Sequence, residues 1–360
     1  MVENLAAIAR ATATQSETNG RIDPAFVDLL REVASSTAPT SHGGTNPSLF
    51  DVLDLIRVVA QGDGSAGWVA MIYLTSAVGV HWLAEDGRDD VLARGASTLV
   101  AGVLAPKGVA VSVEGGYEVS GRWAFGSGSA DADWMGLGAV IDGSPERTGT
   151  FFIPRDQIQL LPTWQVVGLR ATASNDQLVE KAFVPARRIA YFDGPNLTAE
   201  PVASVPILGL LAAGIGAVAI GIAQAALEEF TELSGVKTPT GSKRRLADRG
   251  AVQEAAGRAH AGIESAWHYL AGRSLDISEI ANQSDKVRLR LAATASVDTS
   301  RQIVDNLYTL CGGSSLYDRS PLQRHFRDIH TATQHMMVGQ PTWELTGRVL
   351  LGLETDPVGL

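Results

Sequence analysis

The chain has 360 residues, more than a single hydrophobic core usually holds, so two or three structural units are expected. With 45% hydrophobic and 19% charged residues, it has the composition of a soluble globular protein, and its net charge of −10 argues against a nucleic-acid partner. A single cysteine, Cys311, argues against a disulfide framework and favours the cytoplasm, and the N-terminal segment lacks the apolar core of a signal peptide.

Residues 1–97 are predicted to form a helical unit. Asp23 is a candidate N-cap, and Pro24 stands in the first turn of the helix that follows it. The next helix carries apolar residues at three- and four-residue steps, namely Leu49, Leu53, Ile56 and Val59. Apolar helical character then continues through His81.

Residues 98–200 change to a period of two and are predicted to form a β unit. The stretch GVAVSVEGGYEVSGRWAF alternates and breaks at Gly115-Gly116, which is typical of a β-hairpin. Further short apolar runs follow, separated by Gly, Pro and Asp, as in DWMGLGAVIDG and QLVEKAFVPARRIAYF. This part of the chain is therefore expected to be a sheet or barrel.

Residues 201–360 return to the helical period. The stretch from Ile207 to Leu227 has no charged residue and is long enough to cross a membrane. Its many Gly and Ala residues instead favour a helix buried inside the protein or at a subunit interface. We therefore expect no contact with a membrane. A later long helix ends at Gly312-Gly313, a suitable C-cap. Separate blocks of helices, strands and helices indicate an α+β fold.

Three histidines stand at steps of five near the end of the chain, at positions 325, 330 and 335. A step of five turns a helix by about 140° beyond a full turn, so the three rings point to different sides. Metal-binding pairs on one helix need steps of three or four, and the sequence has no HExxH motif or Cys/His cluster. We therefore expect no metal, and at most one or two of these histidines facing one pocket.

Six short motifs, in this order, resemble the acyl-CoA dehydrogenase superfamily. They are DGSAGW (63–68), GVHW (79–82), GGYEVSGRWAFGSG (115–128), WQVVGLRATASND (164–176), FVP (183–185) and LCGGSSLYDRSPLQRHFRDIH (310–330). More closely, the chain is similar to the flavin-dependent monooxygenase branch: oxygenase components of two-component aromatic hydroxylases, dibenzothiophene monooxygenase and amino-sugar N-oxygenases. The resemblance covers residues 21–352.

The sequence departs from typical acyl-CoA dehydrogenases at three places. GVLAPKGVA stands where they carry TEPxAGSD, and their Arg-x-x-Phe-Gly signature is missing from the C-terminal half. Their catalytic glutamate after the Arg-Asp pair falls on Met336, which cannot accept a proton. Together these losses disfavour acyl-CoA oxidation. An acyl-CoA dehydrogenase or oxidase stays the first alternative, and a non-catalytic flavin- or ligand-binding protein of the same fold stays the second.

The resemblance implies a fold, a reaction and partners. The expected fold is acyl-CoA dehydrogenase-like, with an N-terminal helical domain (1–97), a β domain (98–200) and a C-terminal four-helix bundle (201–360), assembled as a homotetramer. The expected reaction uses reduced flavin, FAD or FMN, and O2 to form a C4a-hydroperoxyflavin, which hydroxylates a small aromatic or amine substrate. The sequence has no GxGxxG dinucleotide fingerprint, which agrees with a separate flavin reductase.

The resemblance also assigns residues to the flavin. Ser127 matches a serine whose hydroxyl lies near flavin N5, and Thr172 and Ser174 match a hydroxyl-bearing flavin-contacting segment. Trp164 is expected near the flavin edge, and a loop with Gly312 and Gly313 is expected to reach a neighbouring subunit's flavin. Two aromatic residues could either wall the flavin or fill the core: Trp123 and Phe125.

The remaining assignments concern the substrate side. His335 matches a histidine that faces the substrate and is the candidate general base, because the ordinary pKa of histidine is close to neutral pH. His81 is a second catalytic candidate, with a satisfied core histidine as the alternative. Trp68 and Met336 are expected to line the substrate pocket. The other two histidines of the C-terminal stretch are expected to be structural (His330) and exposed (His325).

Overall fold

The computed structural model describes residues 1–275 and 282–355 and shows an α+β fold. Five α-helices form the N-terminal part: α1 (Val2–Asn19), α2 (Pro24–Leu30), α3 (Leu49–Gly62), α4 (Gly64–Val78) and α5 (Glu85–Val91). As predicted, the carboxylate of Asp23 caps α2 by accepting from the Ala25 amide at 2.9 Å. Asp63 caps α4 in the same way, accepting from the Ala66 amide at 2.9 Å.

The middle of the chain forms a seven-stranded sheet. Its strands are β1 (Val100–Val113), β2 (Gly116–Trp123), β3 (Trp134–Ile141), β4 (Ser144–Pro154), β5 (Gln159–Leu161), β6 (Asp176–Pro185) and β7 (Ile189–Ala190), in the order β5-β6-β2-β1-β3-β4-β7. Strands β1 and β3 are parallel, and the other neighbours are antiparallel. The predicted hairpin is confirmed: Gly115 joins β1 and β2 with a φ of 79°, a conformation that glycine adopts without steric cost.

The C-terminal part is again helical, with α6 (Ile207–Val236), α7 (Gly250–Leu275), α8 (Gln283–Cys311), α9 (Pro321–Ala332) and α10 (Gln340–Leu350). Helices α6 and α8 pack along each other, α7 packs against both, and α9 also packs against both. Gly312 follows the end of α8 with a φ of 54°, as the predicted C-cap requires.

Helix α6 is long and apolar enough to cross a membrane, but 78% of its most apolar window is buried inside the chain. Helices α3, α4 and α8 cover it. The expectation of a buried helix is therefore confirmed. Because this chain covers α6 by itself, the apolar composition of the helix does not require a second subunit, and the homotetramer stays a prediction that rests on the resemblance.

One hydrophobic core runs through all three parts of the chain. It joins residues of α3 and α4 to the inner face of the sheet and to α6 and α8. The division into domains at residues 97 and 200 therefore stays a prediction. The shared core matters for the site, because residues from a helix, a loop and the C-terminal bundle are held against one another.

The contact between α6 and α3 can be tested at Gly221. A Cβ atom added there would collide with the carbonyl oxygen of Arg57 and lie 2.7 Å from the Cβ of Ala60. We expect Gly221→Ala to lower the free energy of unfolding by about 1–3 kcal/mol, because overpacking forces the two helices apart.

The matched control is Gly235→Ala in the same helix, where no atom of the described residues lies within 4 Å of the added Cβ. Its stability should stay unchanged or rise by up to about 1 kcal/mol, because alanine favours helix more than glycine does. Urea unfolding of the wild type and both variants measures this difference. An equal loss in the two variants would contradict the packing.

Candidate active site

A chain of buried hydroxyl groups joins two loops of the β unit to α4. Ser127 lies in the loop after β2, and its Oγ is 2.6 Å from the Oγ of Ser174. The Ser174 Oγ is 2.7 Å from the Oγ1 of Thr172, in the loop before β6. On the other side, the indole Nε1 of Trp68 on α4 donates to Ser127 at 3.1 Å. The structure thus brings together four residues that the resemblance assigned to the site.

His335 stands at the far side of Trp68. It lies in the turn after α9, and the centroids of the two rings are 5.8 Å apart. Its Nδ1 accepts a hydrogen bond from the backbone amide of Met337 at 3.2 Å. Burial, together with the nearby guanidinium of Arg290, lowers the pKa of His335 to about 4. The imidazole is therefore neutral at pH 7.

The carbonyl oxygen of Leu169 anchors the other end of the hydroxyl chain. It accepts from the hydroxyl of Thr172 at 2.8 Å and from the indole Nε1 of Trp164 at 3.1 Å. The ring of Trp164 meets the ring of Phe125 edge-to-face, with centroids 6.2 Å apart. Phe125 is 71% exposed because its backbone turns to a φ of 64° just after β2 ends. Two aromatic rings thus stand beside the hydroxyl groups, one of them open to a ligand.

Two other assigned residues lie in the core. Both ring nitrogens of His81 are hydrogen-bonded, Nδ1 with the hydroxyl of Thr198 and Nε2 with the carbonyl of Thr37 at 2.9 Å. Trp123 is fully buried, and its Nε1 donates to the carbonyl of Gly138 at 2.7 Å. Their surroundings fit the core alternative. The catalytic role of His81 and the flavin-wall role of Trp123 stay predictions.

The expectation that His325 is exposed is wrong. Its exposed fraction is 3%, and burial lowers its pKa to about 3. The spacing rule gave the angles between the three histidines but not which face meets water, and α9 is enclosed by α4, α6 and α8. His330 is structural as expected, since its Nε2 is 2.8 Å from the Oδ1 of Asp305.

Three further assigned residues face outward in this chain. Met336 is 77% exposed, so the expectation that it lines a pocket finds no support within the chain, where its neighbour Met337 is the buried methionine. Gly312 and Gly313 are exposed, with no atom of the described residues within 4 Å of an added Cβ. Their expected contact with a neighbouring subunit's flavin stays a prediction.

Sequence reasoning missed two polar groups near the hydroxyl chain, Gln177 and Asp328. Gln177 at the start of β6 is fully buried, and neither atom of its amide has a partner among the described residues. Asp328 on α9 is buried, and its Oδ1 accepts from the Leu169 amide at 2.6 Å. The Arg-Asp pair of the C-terminal motif was a signal for Asp328, but nothing in the local sequence showed its partner. For Gln177 no signal was present.

The groups around this site fit a flavin ring. Such a ring has flat apolar faces and an edge of alternating hydrogen-bond donors and acceptors. Phe125 and Trp164 supply aromatic surface, and the hydroxyl groups supply polar contacts for the edge. The amide of Gln177 lies beside Gly126, in the same loop as Ser127, and has no partner among the described residues. The residues present are therefore of the kinds that could hold a flavin.

The chain is similar to known proteins over most of its length. The family model "Acyl-CoA dehydrogenase, C-terminal domain" matches residues 213–340. The oxygenase subunit HsaA of a flavin-dependent monooxygenase from Rhodococcus jostii (strain RHA1) is 31% identical over 352 residues, covering 91% of this chain and 90% of the relative. The chain belongs to the oxygenase components of flavin-dependent monooxygenases. As a member, it is an oxidoreductase with a flavin cofactor and O2 as co-substrate.

Two further comparisons support the same family for this oxygenase component. A pigment production hydroxylase from Rhodococcus sp. (strain ATCC 21145) is 28% identical over 366 residues, covering 97% of this chain and 94% of the relative. The crystal structure of the HsaA monooxygenase from Mycobacterium tuberculosis superimposes with a TM-score of 0.92 at 26% identity, covering 100% of this chain and 98% of that one. The acyl-CoA dehydrogenase-like fold is confirmed. These relatives are monooxygenases, which favours a monooxygenase over an acyl-CoA dehydrogenase.

The oxygenase component should lose stability as Asp328 ionises. Burial and the neighbouring carboxylate of Asp63 raise the pKa of Asp328 to about 7, against the partial compensation of Arg324 and Arg327. The folded state therefore binds this proton more tightly than the unfolded chain, whose carboxyl has a pKa of about 3.9. Stability is fully present below about pH 4 and falls as pH rises towards 7.

Asp328→Asn has no such ionisation, so its stability should fall less between pH 5 and pH 8. Urea unfolding at pH 5 and pH 8 gives the fall in the free energy of unfolding for the wild type and for the variant. The same fall in both proteins would show that Asp328 does not titrate in this range.

Proposed function

We propose that this chain is the oxygenase component of a two-component system that hydroxylates a small aromatic or amine substrate with reduced flavin and O2. A separate reductase supplies the reduced flavin, FAD or FMN. The observation that carries this proposal is the buried hydroxyl chain from Thr172 to Ser127, linked through Trp68 to His335. When bound, reduced flavin supplies the activation of O2 at its C4a position and the transfer of one oxygen atom.

The hydrogen bonds of the hydroxyl chain can run in one direction only. The carbonyl oxygen of Leu169 has no proton, so the hydroxyl of Thr172 donates to it. Thr172 then accepts from Ser174, and Ser174 accepts from Ser127. Ser127 also accepts from the indole of Trp68. A hydroxyl has one proton and two lone pairs, so Ser127 keeps one lone pair for a ligand and has no proton to give.

This direction favours the reduced cofactor. With flavin N5 opposite Ser127, as the resemblance implies, the remaining lone pair accepts the N5–H of a reduced flavin. An oxidised flavin has no hydrogen at N5, and two lone pairs would then face each other. The proposal therefore includes tighter binding of reduced than of oxidised flavin.

His335 is the residue proposed to contact the substrate. Its Nδ1 accepts from the Met337 amide, so the one proton of the neutral ring lies on Nε2. Within the described residues Nε2 has no hydrogen-bond partner. In this tautomer the ring donates a hydrogen bond to an oxygen or nitrogen of the substrate. The general-base role expected from the sequence requires the other tautomer and the loss of the bond to Met337.

Assembly and location complete the proposal. We expect a cytoplasmic homotetramer, in which the exposed loop with Gly312 and Gly313 meets a neighbouring subunit. The outward position of these two glycines in a single chain supports this arrangement.

The role of Ser127 can be tested with a control from the same loop. Ser127→Ala removes the group that accepts from reduced flavin, so the preference for reduced over oxidised flavin should shrink by about tenfold. A larger share of the consumed O2 should also appear as hydrogen peroxide. Ser129→Ala is the control, since Ser129 is also buried and its hydroxyl has no partner among the described residues.

Two titrations with oxidised and reduced flavin, together with a peroxide assay, measure these effects. An unchanged preference in Ser127→Ala would show that Ser127 is only a turn residue. No binding of either flavin by the wild type would overturn the proposed function.

The donor role and the general-base role of His335 predict different activities for two variants. Glutamine places an amide donor near the position of Nε2 but cannot act as a base at neutral pH. His335→Gln should therefore keep most of the coupling between O2 consumption and product formation. His335→Ala should lose about 10²-fold in product formation while it continues to consume O2. Product and peroxide yields, measured with a true substrate, distinguish the roles. Equal uncoupling in both variants would contradict the donor role and support the base.

A further inference from the structure

Helix α9 touches the backbone of the loop that carries Thr172 and Ser174. A Cβ atom added to Gly168 would collide with the carbonyl of Arg327 and lie 2.7 Å from the backbone nitrogen of Asp328. Only glycine allows this approach. The side chain of Arg327 also donates to the carbonyl of Val167 at 2.6 Å. Residues 167–169 therefore lie directly on one turn of α9.

Leu169 is held on both sides of its backbone. Its amide donates to the Oδ1 of Asp328 at 2.6 Å, and its carbonyl accepts from Thr172 and Trp164. Its φ of 50° is unusual for a residue with a branched side chain, so it persists only where surrounding contacts impose it. Among the described residues, the hydrogen bond that reaches the Leu169 backbone from outside the loop is the one to Asp328.

We propose that Asp328 is a positioning residue of the flavin site, which holds the Leu169 peptide so that the hydroxyl chain ends at Ser127 in a fixed place and direction. Asp328 itself touches no flavin or substrate. The inference rests on the proposed function, because it takes the hydroxyl chain as the flavin contact.

The surroundings of Asp328 indicate that it is kept for position rather than for stability. The residue is buried, and its Oδ2 has no partner among the described residues. The carboxylate of Asp63 also lies close enough to raise the pKa of Asp328. A buried carboxylate with an unfilled oxygen and a like charge nearby is unfavourable for folding. Within the described residues, the carboxyl group of Asp328 accepts one hydrogen bond, from the Leu169 amide.

Helix α9 is also connected to the other end of the hydroxyl chain, at Ser127. His335 follows α9 and contacts Trp68, which donates to Ser127. Asp328 and His335 therefore connect α9 to the hydroxyl chain at two points, one through Leu169 and one through Trp68. A shift of the Leu169 peptide should alter Ser127 without changing the sequence of either flavin loop.

The test uses two variants of Asp328, one without a hydrogen-bond acceptor and one that keeps it. Asp328→Leu keeps the branched shape at Cγ but has no acceptor, and Asp328→Asn keeps an acceptor at Oδ1. A further variant, Asp305→Ala, is the control, since it removes a carboxylate that bonds to His330 on the same helix and not to Leu169. Two quantities are measured: hydrogen exchange of amides 167–174 in the flavin-free protein, and the dissociation constant of reduced flavin.

We expect Asp328→Leu to speed exchange in this loop and to weaken reduced-flavin binding about tenfold or more, because the Leu169 amide loses its partner. Asp328→Asn should restore both to within about threefold of the wild type. Asp305→Ala should change the melting temperature alone. Wild-type values in Asp328→Leu would overturn the proposal, and so would the same loss of flavin affinity in Asp305→Ala.

Failure of the proposed function gives a different result. If the wild type binds no reduced flavin, the hydroxyl chain is not a flavin contact. If the wild type binds flavin but Asp328→Leu binds it equally well, only the role of Asp328 fails. Should Asp328→Leu not fold, Asp328→Asn decides. Wild-type exchange of amide 169 together with wild-type flavin binding agrees with an acceptor that holds Leu169, and faster exchange with unchanged flavin binding overturns the proposal.

Discussion

The hydrogen bond from the Thr172 hydroxyl to the Leu169 carbonyl oxygen determines what this site can present to a ligand. A carbonyl can only accept, so this one bond orients every proton between Thr172 and Ser127. Without it, each hydroxyl could rotate and the chain could reverse. The backbone carbonyl of Leu169 therefore decides whether the Ser127 hydroxyl donates or accepts, although three hydrogen bonds separate the two groups.

That carbonyl is in turn held by the packing of separate parts of the chain. Loop 167–169 lies against α9, and α9 lies against α4, α6 and α8. The hydrophobic core crosses from the N-terminal helices through the sheet into the C-terminal bundle. The small network of hydroxyl groups is thus held in place by the packing of the large hydrophobic core. An ordered network of this kind restricts side-chain rotation more than apolar packing alone can.

Much of the fold could be predicted because its signals are local. The hairpin at Gly115, the cap at Asp23 and the buried helix from Ile207 follow from short patterns, and the structure confirms all three. The hydroxyl residues could be found because they stand in motifs. Patterns of one helix give angles between side chains but not their surroundings, and so the exposure of His325 was wrong.

The rest could not be predicted because it depends on contacts between distant parts of the chain. Asp328 and Leu169 are 159 residues apart, and no local pattern relates them. The neutral state of His335 also follows from burial rather than from residue type. Similarly, an aromatic residue in a strand carries no sign of whether its face meets a cofactor or the core. Trp123 and Phe125 are two positions apart but differ completely in exposure, because the backbone turns between them.

Helix α6 has a consequence for how the chain reaches this structure. Its apolar surface is covered partly by α3, which precedes it, and partly by α8, which follows much later in the sequence. During synthesis α6 therefore leaves the ribosome before α8, which packs against it, has been made. Partly folded chains that expose such a surface associate with one another or bind chaperones. The same composition that packs three helices closely in the finished enzyme makes a chain that ends between α6 and α8 prone to aggregate.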